Sequence, residues 1–389
     1  MPSSHILNTK YAGMQSLYYI VYCTVLGYAA VYLGAIGLSS TWIGIILALG
    51  NLFCTFFAPV IARVIDDKHL SVSHFVMVMA GIVGGLAVLM FMSTNMPLLV
   101  GIIFAILLGI LLCMMPLLNT LAFIFEEHGI TLNFGLGRGI GSASYAITSL
   151  ILGYIVKIYS PKLLPILILI VMVGLIPLTN SFKIKGVAMK SNSTPKQPTK
   201  MKDFIKTYYK FMIMIVGLSL VLADHTLINN FFINIVKHVG GDTSDMGTAV
   251  FVAAILELIA MNVFEKVKRR IDVGRLLAFS VIMFSVKHVL TWLAPNMTVI
   301  YIAQVLQMFA YAIFIPAGVY YVDQHLPKAD TTLGQSLMNN TATVGGIIAS
   351  AAAGFLIDHT GITNTLLVGA IVSIIGTVIV LLTVERKHA

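Results

Sequence analysis

The sequence predicts an all-α membrane protein with twelve transmembrane helices in two six-helix halves. Three observations lead there. First, 58% of the 389 residues are hydrophobic and only 10% are charged, whereas a soluble domain carries about a quarter charged residues. Second, apolar runs recur that match the roughly 20 residues a helix needs to cross a bilayer. Third, one long polar segment, 183–207, divides those runs six and six.

In order, the predicted spans cover 12–36, 42–63, 73–93, 98–124, 138–158 and 162–182 in the first half. Those of the second half cover 208–236, 246–266, 274–294, 298–322, 333–357 and 362–384. Gly, Pro or charge marks most of the boundaries. The first run begins near Tyr11 and continues to about Gly37 without a small-residue cleavage site. It is too long for a signal-peptide core, so it is read as a span rather than a removable leader. The segment "KIKGVAMKSNSTPKQPTKMKDFIKT" is rich in Lys, Ser, Thr and Pro, the composition of a flexible linker. The expected organisation is a half at 1–182, a basic linker at 183–207 and a half at 208–389.

The net charge of +9 invites a nucleic-acid reading, but its distribution argues for membrane topology. With the N-terminus inside, every Lys and Arg except Lys157, Lys162, Lys237 and Lys287 falls on the cytoplasmic side. That is the positive-inside pattern, and it predicts cytoplasmic termini and linker in a multi-pass plasma-membrane protein. Cys23, Cys54 and Cys113 lie in apolar runs without metal-ligand spacing and read as small buried hydrophobes. No Walker loop, His-Glu-x-x-His or nucleophile elbow is present. The expectation is no enzyme activity, no metal and no cofactor.

Ionisable residues deep in a membrane are functional hypotheses, because lipid does not solvate them. Asp224 and His225 lie within the seventh span, Glu257 within the eighth, and Lys287 and His288 within the ninth. A carboxylate beside a movable cation can switch protonation state. Glu257 with Lys287, and Asp224 with His225 or Lys287, form the candidate proton-coupling set; a static interhelical ion pair is the alternative. The first half offers Arg138, at the start of the fifth span. Gln15, Tyr19 and Tyr22 share one face of the first span. With Asn51, Asn119, Asn229, Asn230, Gln304, Gln307, Asn339 and Asn340 they supply amides and phenols, which suit a hydroxyl-rich ligand. Interhelical hydrogen bonding is the alternative use of each.

Two loop sequences in equivalent places, "PVIARVIDDKH" after the second span and "FEKVKRRIDVGR" after the eighth, echo each other. So do "LGRGIGSASYAITSLILGYI" and "LGQSLMNNTATVGGIIASAAAGFLID" in the fifth and eleventh. Six plus six spans with such repeats resembles the major facilitator superfamily. Asp66 stands at the acidic position of that superfamily's conformational loop motif, with Ala62 where Gly is usual.

More narrowly, the chain resembles the lactose-permease type of oligosaccharide/proton symporter. "GLSLVLADHTLINNFF" is similar to that family's seventh helix, "LELIAMNVF" to its eighth and "FSVIMFSVK" to its ninth. "NFGLGRGIGSASY" is similar to its fifth. The resemblance implies that Glu257 is the sugar- and proton-linked carboxylate, with Lys287 at the family's Arg. It implies that Arg138 contacts sugar, with Tyr145 in place of a stacking Trp. In the tenth span "LQMFAYAIF" offers Gln307 and Ala310 where the family has proton-transfer groups, and Asn119 stands near an absent carboxylate. The implied function is proton-coupled uptake of a sugar or similar small polar solute by alternating access. A nucleoside or other polar-solute symporter, proton-coupled efflux and a non-transporting sensor are the alternatives. The implied substrate contacts are Arg138, Tyr145, Asn119, Gln15, Tyr19, Asn230 and Gln307. The implied partners are the solute, a proton and the bilayer, with the proton gradient as energy source, no nucleic acid and a monomeric chain.

Overall fold

A backbone surrounded by lipid must satisfy its own N–H and C=O groups, and a helix does so within one segment. The computed structural model is accordingly helical throughout, and it describes residues 4–68, 70–127, 132–182 and 201–386. Contacts group the chain into two units, Met1–Ser191 and Asn192–Ala389. The linker expectation at 183–200 lies outside the described residues.

Unit 1 opens with α1 (Ser4–Tyr22), a π-helical turn (Cys23–Gly27) and α2 (Ala29–Ala35), bent by 52° relative to each other. Then come α3 (Ser40–Asp67), α4 (Val72–Met92), α5 (Pro97–Glu127), α6 (Phe134–Ile158) and α7 (Leu164–Asn180), the last entered through a 3₁₀ turn at Pro161–Leu163. Asp66 lies in the last turn of α3; its side chain is outside the described set. In this unit α1 packs on α6, α3 on α5 and α4 on α7. The α1–α6 contact is close because α6 presents glycine to aromatic rings. A Cβ at Gly137 would run into Tyr11, and one at Gly141 into Tyr19.

Unit 2 contains α8 (Met201–Thr207), α9 (Tyr209–Asn230), α10 (Phe232–His238), α11 (Thr243–Lys268) and α12 (Val273–Trp292). It continues with α13 (Met297–Val305), α14 (Gln307–His325) and α15 (Thr331–Thr383). Polar residues in the short loops cap these helices. Asp242 and Asp245 form a reciprocal capping box at α11, Asp272 caps α12 and Asn296 caps α13.

The elements differ from expectation in several places. Residues 201–207, read as linker, form α8, because Phe204 is fully buried and packs on Tyr208 and Phe211. The run 208–236 is interrupted at Phe231, and 298–322 at Leu306. The runs 333–357 and 362–384 are joined in α15, whose helical conformation fails only at Gly361 (φ 82°, ψ 167°). Ten helices among the described residues are long and apolar enough to span a membrane, or up to eleven with the bent α1–α2 pair counted.

The long α15 clamps α9. Gly345 abuts the Ser219 carbonyl of α9 on the N-terminal side of the Gly361 break. Gly376 abuts Gly217 on the C-terminal side. These backbone approaches hold the helix that carries Asp224 against its neighbours, and no larger residue fits at either contact.

Candidate functional site

Each unit holds one polar cluster. In unit 1 it forms where α1, α5 and α6 meet. Gln15 is 1% exposed and donates to Tyr11 Oη at 2.9 Å and to Asn119 Oδ1 at 3.2 Å. The Arg138 guanidinium lies over the Tyr19 ring, with Cζ 5.2 Å from its centroid, a cation–π arrangement. Tyr19 meets Tyr18 edge-on at 5.6 Å, Tyr18 stacks on Tyr22 at 6.0 Å, and Tyr22 lies 6.0 Å from Tyr145. The structure therefore brings Gln15, Tyr19, Asn119, Arg138 and Tyr145 into one contiguous cluster. Tyr11 and Tyr18 belong to it although the sequence reading passed over them; their i, i+4 and i, i+3 spacing to Gln15 was the available signal. Gln15 Oε1 and Arg138 Nη1 are buried there without a hydrogen-bond partner among the described residues. An orphaned acceptor and an orphaned cationic donor in one cluster suit a ligand that carries hydroxyls.

The cluster in unit 2 contains the charges. Lys287 on α12 has 0% exposure and donates to Gln307 Oε1 of α14 at 2.6 Å. Its ammonium has Glu257 of α11 and Asp224 of α9 as electrostatic neighbours, and Glu257 also faces Gln307. Four helices thus converge on one buried cation. Gln307, expected as a substrate contact, is engaged by Lys287 in this cluster.

Asp224 and His225 separate. Asp224 is 2% exposed, and its Oδ2 lies 3.0 Å from Nδ1 of His288 on α12. Neither oxygen of Asp224 has a properly directed hydrogen bond. A Cβ on Gly369 would collide with its Oδ1, so the carboxylate lies flat on the α15 backbone. His225 turns away, meeting Asn229 Nδ2 at 3.0 Å and stacking on Tyr311 at 5.3 Å. The expected pairing of Asp224 with its sequence neighbour therefore gives way to a pairing across helices. Adjacent residues on a helix point about 100° apart, so Asp224 reaches the Nδ1 edge of His288 while His225 meets that ring only by stacking, at 6.3 Å. Asn230 donates to Ser350 Oγ at 2.7 Å and fastens α9 to α15.

Sequence reasoning singled out His288 as a buried ionisable residue without giving it a role, and it missed the hydroxyls near it. Nδ1 of His288 lies 2.8 Å from Ser373 Oγ, and Ser373 continues to Ser285 at 3.1 Å and Thr377 at 2.8 Å from Ser285. Ser285 with His288, and Ser373 with Thr377, are one helical turn apart, and that spacing was the readable signal.

Two cavities lie elsewhere among the described residues. An apolar crevice of about 510 Å³ runs between α3 and α5, lined by Trp42, Phe53, Phe56 and aliphatic neighbours. A polar pocket of about 260 Å³ sits among Tyr208, Lys210, Tyr321, His325 and Glu385. Neither contains a residue of the two clusters. Among the described residues no group of three or more His, Cys, Asp or Glu is placed to hold a metal.

The profile described as the MFS_1 like family matches residues 9–368. A protein from Deinococcus radiodurans, named as a sugar efflux transporter, is 29% identical over 136 residues. That alignment covers 34% of this chain and 34% of the relative, about a third of the relative's length. Among solved structures, a variant of the nucleoside transporter NupG matches with a TM-score of 0.81 at 13% identity, covering 97% of this chain and all of that one. A bacterial homologue of the lysosomal transporter Spinster matches at a TM-score of 0.71 and 12% identity, covering 98% and 97%. A POT family peptide transporter matches at 0.74 and 9%, covering 96% and 95%. At such identities these structures establish the fold alone.

Proposed function

The chain belongs to the MFS_1 like family, and it is a multi-pass membrane transporter of the major facilitator kind; from that premise we propose proton-coupled symport of a small polar solute by alternating access. The observation that carries the reading is the unit 2 cluster. A buried ammonium, Lys287, stands between two carboxylates, Asp224 and Glu257, on different helices and is hydrogen-bonded to neither. A static structural ion pair closes its own hydrogen bonds. Here Lys287 donates to Gln307 and is left with two alternative counter-charges, as a protonation switch requires.

The solute we assign is a sugar or a similarly hydroxylated molecule. Arg138, Tyr145, Asn119, Gln15 and Tyr19 of unit 1 supply donors, acceptors and aromatic faces for it. Glu257, with Lys287, Asp224 and His225, handles the proton. The resemblance to lactose-permease-type symporters supports this assignment. Twelve spans are supported by the break at Gly361, which divides α15, and by the bent α1–α2 pair. The charge distribution supports cytoplasmic termini.

Export is the second reading, and a specific observation favours it: the Deinococcus radiodurans relative is named for sugar efflux. Nucleosides are the second solute class, since they too pair hydroxyls with a stacking face.

The test is uptake of labelled sugars and nucleosides into proteoliposomes, with and without an imposed pH gradient of either sign. Symport predicts accumulation when solute and proton enter from the same side. Accumulation only with the opposite gradient assigns antiport, and no accumulation under any gradient rejects the coupled reading. Glu257→Gln is expected to abolish uphill accumulation, and a variant that still concentrates solute removes Glu257 from the coupling role.

A further inference from the structure

The hydroxyl chain beside Asp224 dictates the state of His288. At its far end, Thr377 donates to the Val281 carbonyl at 3.0 Å. A hydroxyl has one hydrogen, so in the Ser285–Thr377 bond the donor is Ser285. With that hydrogen used, Ser373 is the donor to Ser285. Ser373 in turn has none left for His288, so the imidazole donates to Ser373 from Nδ1. Three hydroxyls thus select the Nδ1–H tautomer by hydrogen-bond logic. Nε2 is left as a buried lone pair with no partner among the described residues.

The charges around the His288 ring are out of balance. From α9, Asp224 Oδ2 lies 3.0 Å from Nδ1 and the His225 ring stacks at 6.3 Å. Lys287 precedes His288 on α12 and has Glu257 of α11 and Asp224 as its electrostatic neighbours. Among the described residues, α14 contributes Tyr311, stacked on His225, and Gln307, bonded to Lys287; α15 contributes Ser373 and Thr377. With both carboxylates ionised and Lys287 charged, one negative charge has no counterpart, which a membrane interior penalises. One proton restores neutrality. Each histidine has one ring nitrogen without a partner among the described residues, Nδ1 of His225 and Nε2 of His288. What sets His288 apart is a carboxylate on its ring, Asp224 Oδ2 at 3.0 Å from Nδ1, whereas His225 meets Asn229.

We propose that Nε2 of His288 is the atom at which the coupling proton binds and leaves, with Asp224 as its counter-charge. The Ser373–Ser285–Thr377 chain is a positioning device that keeps Nδ1 occupied, so only Nε2 can exchange. Uptake converts the neutral Nδ1–H imidazole to imidazolium beside an unchanged Asp224 carboxylate, and release is the reverse. This rests on the proton-coupled reading above: Glu257, Lys287 and Asp224 remain the buried charges that coupling depends on, and His288 is the group that carries the proton among them.

The experiment uses the full chain in lipid nanodiscs with ¹⁵N-labelled histidine, titrated by NMR, with His288→Asn identifying the His288 signals. The expected result is a Nδ1–H tautomer at high pH that becomes imidazolium as pH falls. Ser373→Ala combined with Asp224→Asn, which removes the serine acceptor and the carboxylate charge at Nδ1, is expected to release the tautomer preference, and Asp224→Asn alone to keep His288 neutral further into acid. A second arm uses proteoliposomes and the labelled solute from the uptake panel. There His288→Asn, which keeps an N–H near the Nδ1 position but has no titratable nitrogen, is expected to lower the ratio of pH-driven accumulation to counterflow by about tenfold or more. An ordinary Nε2–H tautomer, a His288 that stays neutral throughout, or a His288→Asn variant that accumulates solute like wild type overturns the proposal. A wild type that ignores the pH gradient overturns the coupled reading instead, and the NMR titration still decides whether Nε2 takes a proton. If His288→Asn does not fold, the count of imidazolium signals in wild type against Asp224→Asn decides the same point.

Discussion

Lys287 shows how much the position of one side chain reveals and what it leaves open. A lysine inside a bilayer-length apolar run is costly wherever it points, so its place in the sequence alone marked it, as it did Asp224 and Glu257. What hydropathy could not supply was the partner. Lys287 donates to Gln307, twenty residues away on another helix. Asp224 meets His288, not the adjacent His225. Removing the cation by Lys287→Gln leaves buried carboxylates uncompensated, a loss expected to cost about 3–5 kcal/mol. Thermal melting of the purified variant in detergent measures it. Adding Asp224→Asn removes one of those carboxylates, so the double variant is expected to regain part of the loss. Strict additivity of the two substitutions would mean that the groups do not interact.

At the scale of elements, the apolar runs were legible because lipid demands them, and the breaks were less so. The turn at Cys23–Gly27 and the interruptions at Phe231 and Leu306 lie within hydrophobic stretches, where no Pro or charge marks a boundary. Helix α8 went unread because Lys and Pro dominate the composition around it, while the tertiary burial of Phe204 decided its structure. Gly361 is the reverse case, a glycine whose conformation the chain requires. Its φ of 82° with ψ of 167° is a region that side chains avoid, at a cost of about 1–3 kcal/mol. Gly361→Ala is therefore expected to lower the melting temperature, although nothing lies within 4 Å of the new methyl. An unchanged melt would mean that the backbone relaxes there freely.

For the molecule as a whole, charge placement sets a testable orientation. In a background with Cys23, Cys54 and Cys113 replaced, Ser39→Cys between α2 and α3 is expected to react with a membrane-impermeant maleimide on intact cells. Arg270→Cys, between α11 and α12, is expected to react only after permeabilisation. The opposite pattern would invert the topology and with it the direction assigned to the proton gradient. The two clusters divide chemistry between the units. Aromatic and amide groups with Arg138 gather in unit 1, and the buried acids, the lysine and the paired histidines gather in unit 2.

The sequence by itself determined the solvent, the helical class, the division near the basic segment and the short set of residues that lipid could not solvate. All of these follow from local composition, because transferring a charge or an unpaired backbone group into hydrocarbon is unfavourable in any fold. Tertiary structure alone decided which of those residues meet. Asp224 faces His288 because Gly369 lets α15 lie against the carboxylate. The tautomer proposed for His288 follows from three hydroxyls contributed by two helices and from Asp224 on a third. Hydrogen-bond polarity of that kind depends on distances between helices, which the order of residues along the chain does not contain.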